Sequence, residues 1–319
     1  MAQFDLRAVP EQHRETVESA LATTFGASGV SSVLASPGGA SGALTYRVET
    51  RTGDHLLRIE TIRGSLRNPY QYECMQTAAE AGIAPPIRYV DAGAGVVIMP
   101  FVSQRPLTDF PGGPPAVASA VAALLARLHR TPTFPAHGDY MDNLARMLAY
   151  LERSGRVAPG LLDQHAAGFE RIRAAYPWSP DSFVSAHNDP NQFNMLYDGD
   201  RLWLIDWETA SRNDAFIDLA TVSGYLAPTA DLRDDVLRSG LGREPDPLAR
   251  ARLALMGWLT QLYAGCILLV VVIDPDTATH AERSGVRRPS VPRDGMAARM
   301  ARATAARHTK TPSATSSGL

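Results

Sequence analysis

Asp189, Asn194 and Asp206 put two carboxylates and an amide into the eighteen residues 189–206 of a 319-residue chain. Oxygen donors of this kind suit a hard divalent cation such as Mg²⁺, which takes one or two protein ligands beside substrate phosphates. A carboxylate next to such a site can also accept the proton of a hydroxyl. The intervening residues say how the three are held. Phe193, Met195 and Tyr197 alternate on one side of a short strand, Asp198-Gly199-Asp200 is a turn, and 202–205 is an apolar strand that runs into Asp206. A hairpin with strands rising about 3.3 Å per residue brings Asn194 and Asp206 to one end, with Asp189 on the loop before it. The plainer alternative is two carboxylates capping turns on a surface hairpin. It leaves unexplained why so polar a stretch is hemmed by apolar strands.

His187-x-Asp189-x4-Asn194, followed by Ile205-Asp206-Trp207-Glu208 and by Asn213-Asp214-x3-Asp218-Leu219-Ala220, resembles the catalytic and metal-binding loops of the aminoglycoside phosphotransferase/choline kinase superfamily, relatives of the protein kinases. The resemblance covers roughly residues 30–275. It implies an α+β, bilobal protein-kinase-like fold, with a small antiparallel-sheet lobe over 1–101 and a larger helical lobe over 102–275. It implies ATP and Mg²⁺ as cofactors. Asp189 becomes the catalytic residue that orients or deprotonates an acceptor hydroxyl, and Asn194 and Asp206 become the metal ligands. His187 packs the loop, and Asn188 holds its shape.

The elements that must position these residues can be read in order. A helix over 10–25 precedes a strand–turn–strand over 33–49, whose turn is Ser36-Pro37-Gly38-Gly39-Ala40-Ser41-Gly42. Small residues let backbone N–H groups approach a phosphate closely. By position the loop resembles the family's nucleotide-covering loop, which makes Gly38, Gly39, Ser41 and Gly42 cofactor-binding residues. A third strand over 55–60 carries Arg58 where kinases place a phosphate-binding lysine, and Lys310, the chain's one lysine, lies far off in the tail. A guanidinium bridges phosphate oxygens and a carboxylate more rigidly than an ammonium does. By the resemblance its carboxylate partner is Glu73, on a helix over 68–81, with Glu80 as a fallback. Strands over 87–90 and 95–99 lead to Met99-Pro100-Phe101-Val102, which resembles the hinge that contacts adenine; Pro100 has no N–H, so Val102 supplies the donor. Helices follow over 116–129, 140–153, 161–176, 216–226 and 231–237. A long apolar helix over 248–272 is expected to be buried. Strands first and helices after indicate α+β.

Composition narrows the partners. Hydrophobic residues make up 45%, charged residues 20%, and the formal net charge is −2, so nothing global favours nucleic acid or a membrane surface. Cys74 and Cys266 stand far apart in apolar settings and read as reduced buried thiols. The polar, mixed-charge start reads as no signal peptide, and the apolar run 266–273 is too short to span a bilayer, so the expectation is a cytoplasmic protein. Residues 276–319 hold eight basic and three acidic side chains with few large apolar ones, and read as a flexible basic tail.

His-Asn-Asp and Ile-Asp-Trp-Glu resemble choline/ethanolamine kinases more than aminoglycoside kinases, so the expected acceptor is choline or another amino alcohol. Glu208 and an aromatic box drawn from Tyr225, Trp258 and Tyr263 would hold it; Trp258 and Tyr263 cannot share a helix face, and Trp258 is preferred as the larger ring and stronger cation–π partner. Thr209 and the segment Val222-Ser223-Gly224-Tyr225-Leu226 depart from the eukaryotic choline kinase pattern. An aminoglycoside or other hydroxylated metabolite is the alternative acceptor. A nucleotide-binding pseudokinase scaffold is the alternative class, but it has no chemical need for all three of Asp189, Asn194 and Asp206.

Overall fold

Side chains alternate across a β-strand, and in this chain that alternation sends one row to a structural core and the other toward the chemistry. The computed structural model describes residues 4–26, 28–36, 43–61 and 68–273. Gly38, Gly39, Ser41 and Gly42, and the 276–319 tail, lie outside the described residues. Strands β1 (Val30–Ser36), β2 (Leu44–Thr50), β3 (Gly53–Ile59), β4 (Tyr89–Asp91) and β5 (Val96–Pro100) form an antiparallel sheet in the order β1-β2-β3-β5-β4. Tyr46, Val48, Leu57, Ile59 and Ile98 face Val17, Ala20 and Leu21 of helix α1 (Glu11–Phe25). Full burial of each of the larger aliphatic side chains contributes about 1.5–3 kcal/mol. Leu56, Val97 and Met99 belong to the other row and join a larger core with Tyr72, Cys74, Met75 and Ala78 of α2 (Gln71–Glu80). Arg58 shares the parity of Leu56 and so the same face.

From Gly113 the chain is mainly helical: α3 (Gly113–Leu128), α4 (Tyr140–Arg153), α5 (Asp163–Ala175), α6 (Ala215–Leu226), α7 (Ala230–Leu241) and α8 (Pro247–Ile273). Asp139, Asp214 and Thr229 cap α4, α6 and α7 by accepting from the N–H of Asp142, Phe216 and Leu232. Between α5 and α6 lie two small antiparallel pairs, β6 (Val184–Ala186) with β9 (Ser211–Asn213) and β7 (Met195–Tyr197) with β8 (Leu202–Leu204). The antiparallel sheet followed by helices is the expected α+β arrangement.

Two expectations are corrected. The strand of the central hairpin begins at Met195, and Phe193 sits in a 3₁₀ turn (Gln192–Asn194) with 64% of its surface exposed. Helix α8 is buried along one face only: Leu253, Met256 and Leu259 are covered, whereas Leu248, Ile267 and Leu268 are exposed. Its Pro247–Val270 stretch contains an 18-residue window of mean hydropathy 1.8 and by length and composition alone could cross a membrane, which the 266–273 run could not. The covered face packs on α6 and α4.

His55 in β3 is buried with its ring edge-on to Phe25, centroids 4.7 Å apart. Burial holds its imidazole below the ordinary value; a backbone hydrogen bond with Gly53 opposes this, Arg88 adds to it and Asp54 opposes it. The folded state therefore favours neutral His55. The associated stability is present above the unfolded imidazole value of about 6.5 and is lost as pH falls through the lower folded value. The melting temperature is expected to fall between pH 7.5 and 5.0, and His55→Leu is expected to flatten that decline. Equal slopes for the two proteins would refute the assignment.

Candidate active site

Strand β6 delivers the chain to His187, whose side chain is fully buried and donates from Nε2 to the Ile205 carbonyl at 2.9 Å. The next residue, Asn188, adopts φ 65°, and Asp206 adopts φ 68°. These are the two non-glycine residues with positive φ among those described; one directly precedes Asp189 and the other is itself one of the three chemistry-bearing residues. Left-handed backbone costs a non-glycine residue roughly 1–2 kcal/mol, so it persists where surrounding contacts enforce it. The contacts here are specific. Asp218 of α6, fully buried, accepts from the His187 N–H at 3.0 Å, the Asn188 N–H at 2.8 Å and His129 Nε2 at 2.9 Å. The Asn188 amide donates to Thr209 O at 2.8 Å and Ser211 Oγ at 2.9 Å, and the Thr209 hydroxyl donates back to His187 O at 3.0 Å. The loop holding Asp189 and the segment following Asp206 are thereby tied into one unit.

Asp189 lies half-buried at the surface of this unit. Its Oδ2 accepts from Asn191 Nδ2 at 3.0 Å and Asn194 Nδ2 at 3.3 Å, and its carbonyl accepts from Asn194 Nδ2 at 3.0 Å. Burial pushes the Asp189 carboxyl above its ordinary value. The Asn191 amide and His187 oppose that rise, and the charges of Asp206 and Asp218 add to it. With Nδ2 of buried Asn194 donating to Asp189, Oδ1 is the side-chain atom of Asn194 that could ligate a metal. The Ile205 N–H donates to Asn194 O at 3.0 Å, which joins the two ends of the hairpin as expected. The Asp206 carboxylate, 31% exposed, lies 3.8 Å from Arg58 Nη2.

The expected Arg58–Glu73 pair does not form. Helix α2 turns Gln71 and Tyr72 inward, where both donate to Glu60 Oε2, and sets Cys74 Sγ 3.6 Å from Ala210 O. At 100° per residue Glu73 then faces solvent, as does Glu80. The residues on either side of α2 are tied to the hairpin and to the segment after Asp206: Asn68, before the helix, also donates to Ala210 O, and Ile83 O, past it, accepts from the Leu204 N–H at 2.9 Å. Arg58 meets Asp206 instead. Glu208 lies in a 3₁₀ turn (Trp207–Thr209) rather than a strand, so the parity that would aim it with Asp206 does not hold. Met99 is buried in β5; Val102 is half-buried, and its N–H has no backbone acceptor among the described residues.

The aromatic residues also sort differently from the expectation. Trp258 packs on α5, where a Cβ added at Gly168 would come within 2.9 Å of its ring. With His165, Gly168, Arg171 and Leu255 it lines a separate surface cavity of about 780 Å³. Tyr263 stacks on Tyr140 with centroids 4.6 Å apart and planes 15° from parallel. Burial raises the phenols of Tyr140, Tyr263 and Tyr225, and the negative charge of Asp189 raises each further. The charge of Asp189 thus reaches Tyr140, Tyr225 and Tyr263, whereas Trp258 packs against α5. Sequence reasoning missed Tyr140 and Asn191, whose types carry no signal apart from their spatial neighbours.

Comparison with known proteins bears on the family and the fold. Residues 33–254 match the model of the phosphotransferase enzyme family. No curated protein sequence matches. Among solved structures, a choline/ethanolamine kinase family protein from Mesorhizobium loti superposes with a TM-score of 0.67 at 22% identity, covering 92% of this chain and 94% of its own. A choline kinase from Streptococcus pneumoniae gives 0.63 at 16% identity, covering 92% and 98%. A spectinomycin phosphotransferase in complex with ADP and spectinomycin gives 0.61 at 12% identity, covering 84% and 91%. At these identities the likeness shows the fold, a protein-kinase-like one.

Proposed function

The chain belongs to the phosphotransferase enzyme family, and we propose that it transfers the γ-phosphate of ATP to a hydroxyl of a small molecule, choline or another amino alcohol. The observation that carries this reading is the cluster itself. Asp189 has one carboxylate oxygen held by two amides, and Asn194 and Asp206 are joined across one hairpin end, with Arg58 3.8 Å from Asp206. Phosphoryl transfer depends mainly on positioning and charge neutralisation, and these are the groups it requires. A pseudokinase scaffold would not need all of them.

The donor set fits Mg²⁺: a carboxylate and an amide oxygen are hard ligands, and two protein ligands leave room for phosphate oxygens. Bound there, the ion would neutralise phosphate charge. Asp189 orients the acceptor hydroxyl and takes its proton through the carboxylate oxygen not held by Asn191 and Asn194. Arg58 supplies the fixed positive charge toward the phosphates, balanced by Asp206 rather than Glu73. Val102 offers its N–H to the adenine, and Gly38, Gly39, Ser41 and Gly42 remain the proposed phosphate-binding residues. Residues 1–101 then serve as the nucleotide lobe and 102–275 as the acceptor lobe. Such a reaction draws on the cytoplasmic nucleotide pool.

For the acceptor, the Tyr140–Tyr263 stack and Tyr225 offer π-faces to a cationic amine, each contact worth about 0.5–2 kcal/mol. Arg146, whose positive charge reaches Tyr263, favours a second reading, a neutral or acidic hydroxylated metabolite. An ATP-consumption screen over amino alcohols, aminoglycosides and nucleosides separates them. With an amino alcohol, Tyr263→Ala is expected to raise the acceptor KM by about 3- to 30-fold, with the ATP KM unchanged and Trp258→Ala near wild type. A Trp258 effect larger than that of Tyr263 would reverse the assignment.

A further inference from the structure

Asn191 is bonded on both sides of its amide. Its Nδ2 donates to Asp189 Oδ2 at 3.0 Å, and its Oδ1 accepts from the Phe193 N–H at 2.8 Å. Its backbone repeats the tie: the Asn191 N–H donates to Asp189 O at 2.8 Å, and the Asn191 carbonyl accepts from the Asn194 N–H at 3.0 Å. The residue therefore spans the loop between the proposed base and the proposed metal ligand. It reaches the base with a neutral donor on the same oxygen that Asn194 holds less closely.

We infer that Asn191 is a positioning residue: its amide fixes the rotamer of the Asp189 carboxylate, commits Oδ2 to the protein, and leaves the other oxygen as the one that meets the acceptor hydroxyl. This rests on Asp189 being the base. The inference follows from the valences. An ionised carboxylate only accepts hydrogen bonds, and an amide offers two N–H donors and an acceptor, so one asparagine can lock a base and cap a turn together. Short polar residues that accept through an oxygen can perform the second task alone. Serine and aspartate at position 191 are therefore informative: either keeps an acceptor for the Phe193 N–H, but ionised aspartate has no donor, and the single serine oxygen cannot occupy the Oδ1 and Nδ2 positions at once. Aspartate also sets a like charge beside Asp189.

The test compares wild type with Asn191→Ser, Asn191→Asp and Asp189→Asn, measuring kcat, the ATP KM and the melting temperature for each. If Asn191 positions the base, Asn191→Ser is expected to lower kcat about 10-fold and Asn191→Asp about 100-fold, the scale at which small misplacements act. The ATP KM and melting temperature of both should stay near wild type. Wild-type kcat in both Asn191 variants, with Asp189→Asn inactive, would overturn the inference and leave the proposed function standing. So would kcat losses matched by a lower melting temperature, which would make Asn191 a loop cap only. Full turnover by Asp189→Asn would instead overturn the proposed function itself, and this inference with it.

Discussion

Asp189→Asn is expected to lower kcat by at least about 10²-fold, the lower end of what a positioned base contributes, while nucleotide still binds. The substitution is nearly isosteric and keeps an oxygen that can accept from Asn191 and Asn194, so the loop should hold its shape. What it removes is the basic oxygen. Burial raises the Asp189 carboxyl above its ordinary value, which makes it a stronger base than an exposed aspartate, although it must be ionised to act. Asp206→Ala is the companion measurement. It deletes one proposed metal ligand and the carboxylate 3.8 Å from Arg58, so the Mg²⁺ dependence of nucleotide affinity should vanish. Isothermal titration with and without Mg²⁺ reads this directly. Unchanged turnover in the first variant, or an unaltered Mg²⁺ effect in the second, would remove that residue from the proposed mechanism.

The second large effect is on the scaffold. Asp218→Ala strands three donors at once, the N–H groups of His187 and Asn188 and the imidazole of His129, at a position with no exposed surface. Breaking a buried charged network by removing one partner costs about 3–5 kcal/mol. Urea unfolding should show a loss on that scale, with Asp218→Asn intermediate because its single oxygen still accepts. Loss of activity should accompany it, since Asn188 holds a left-handed conformation that the released loop would relax. A loss below about 1 kcal/mol would mean that Asp218 is not what holds the loop.

The sequence was most informative where chemistry and local structure coincide. The spacing of His187, Asp189, Asn194 and Asp206, the turn at 198–200 and the apolar run before Asp206 each constrain neighbours a few residues apart. A hairpin brings such neighbours together regardless of the rest of the fold, and the Ile205–Asn194 hydrogen bond closes that hairpin as expected. The order of elements was legible for the same reason: strand and helix periods are local, and they fall where the hydrophobic pattern puts them, with α4 spanning the expected 140–153.

What the tertiary structure decided was rotation and partnership. Whether Glu73 or Gln71 faces the site depends on how α2 is turned about its axis. That is set by Asn68 and Cys74 meeting Ala210 and by Gln71 and Tyr72 meeting Glu60. The choice between Trp258 and Tyr263 turned on which side of α8 is covered by α5 and which meets Tyr140. A helical pattern of nearly uniform hydrophobicity, such as that of α8, does not say which face is inward. Asn191 shows the same limit at the scale of one side chain. Its type is ordinary in a loop, and only the packed geometry puts its amide on the Asp189 carboxylate. Sequence by itself determined which chemical groups the site contains, because those are fixed by residue type and short spacing. The pairing among them was left to packing, because it depends on contacts between segments far apart in the chain.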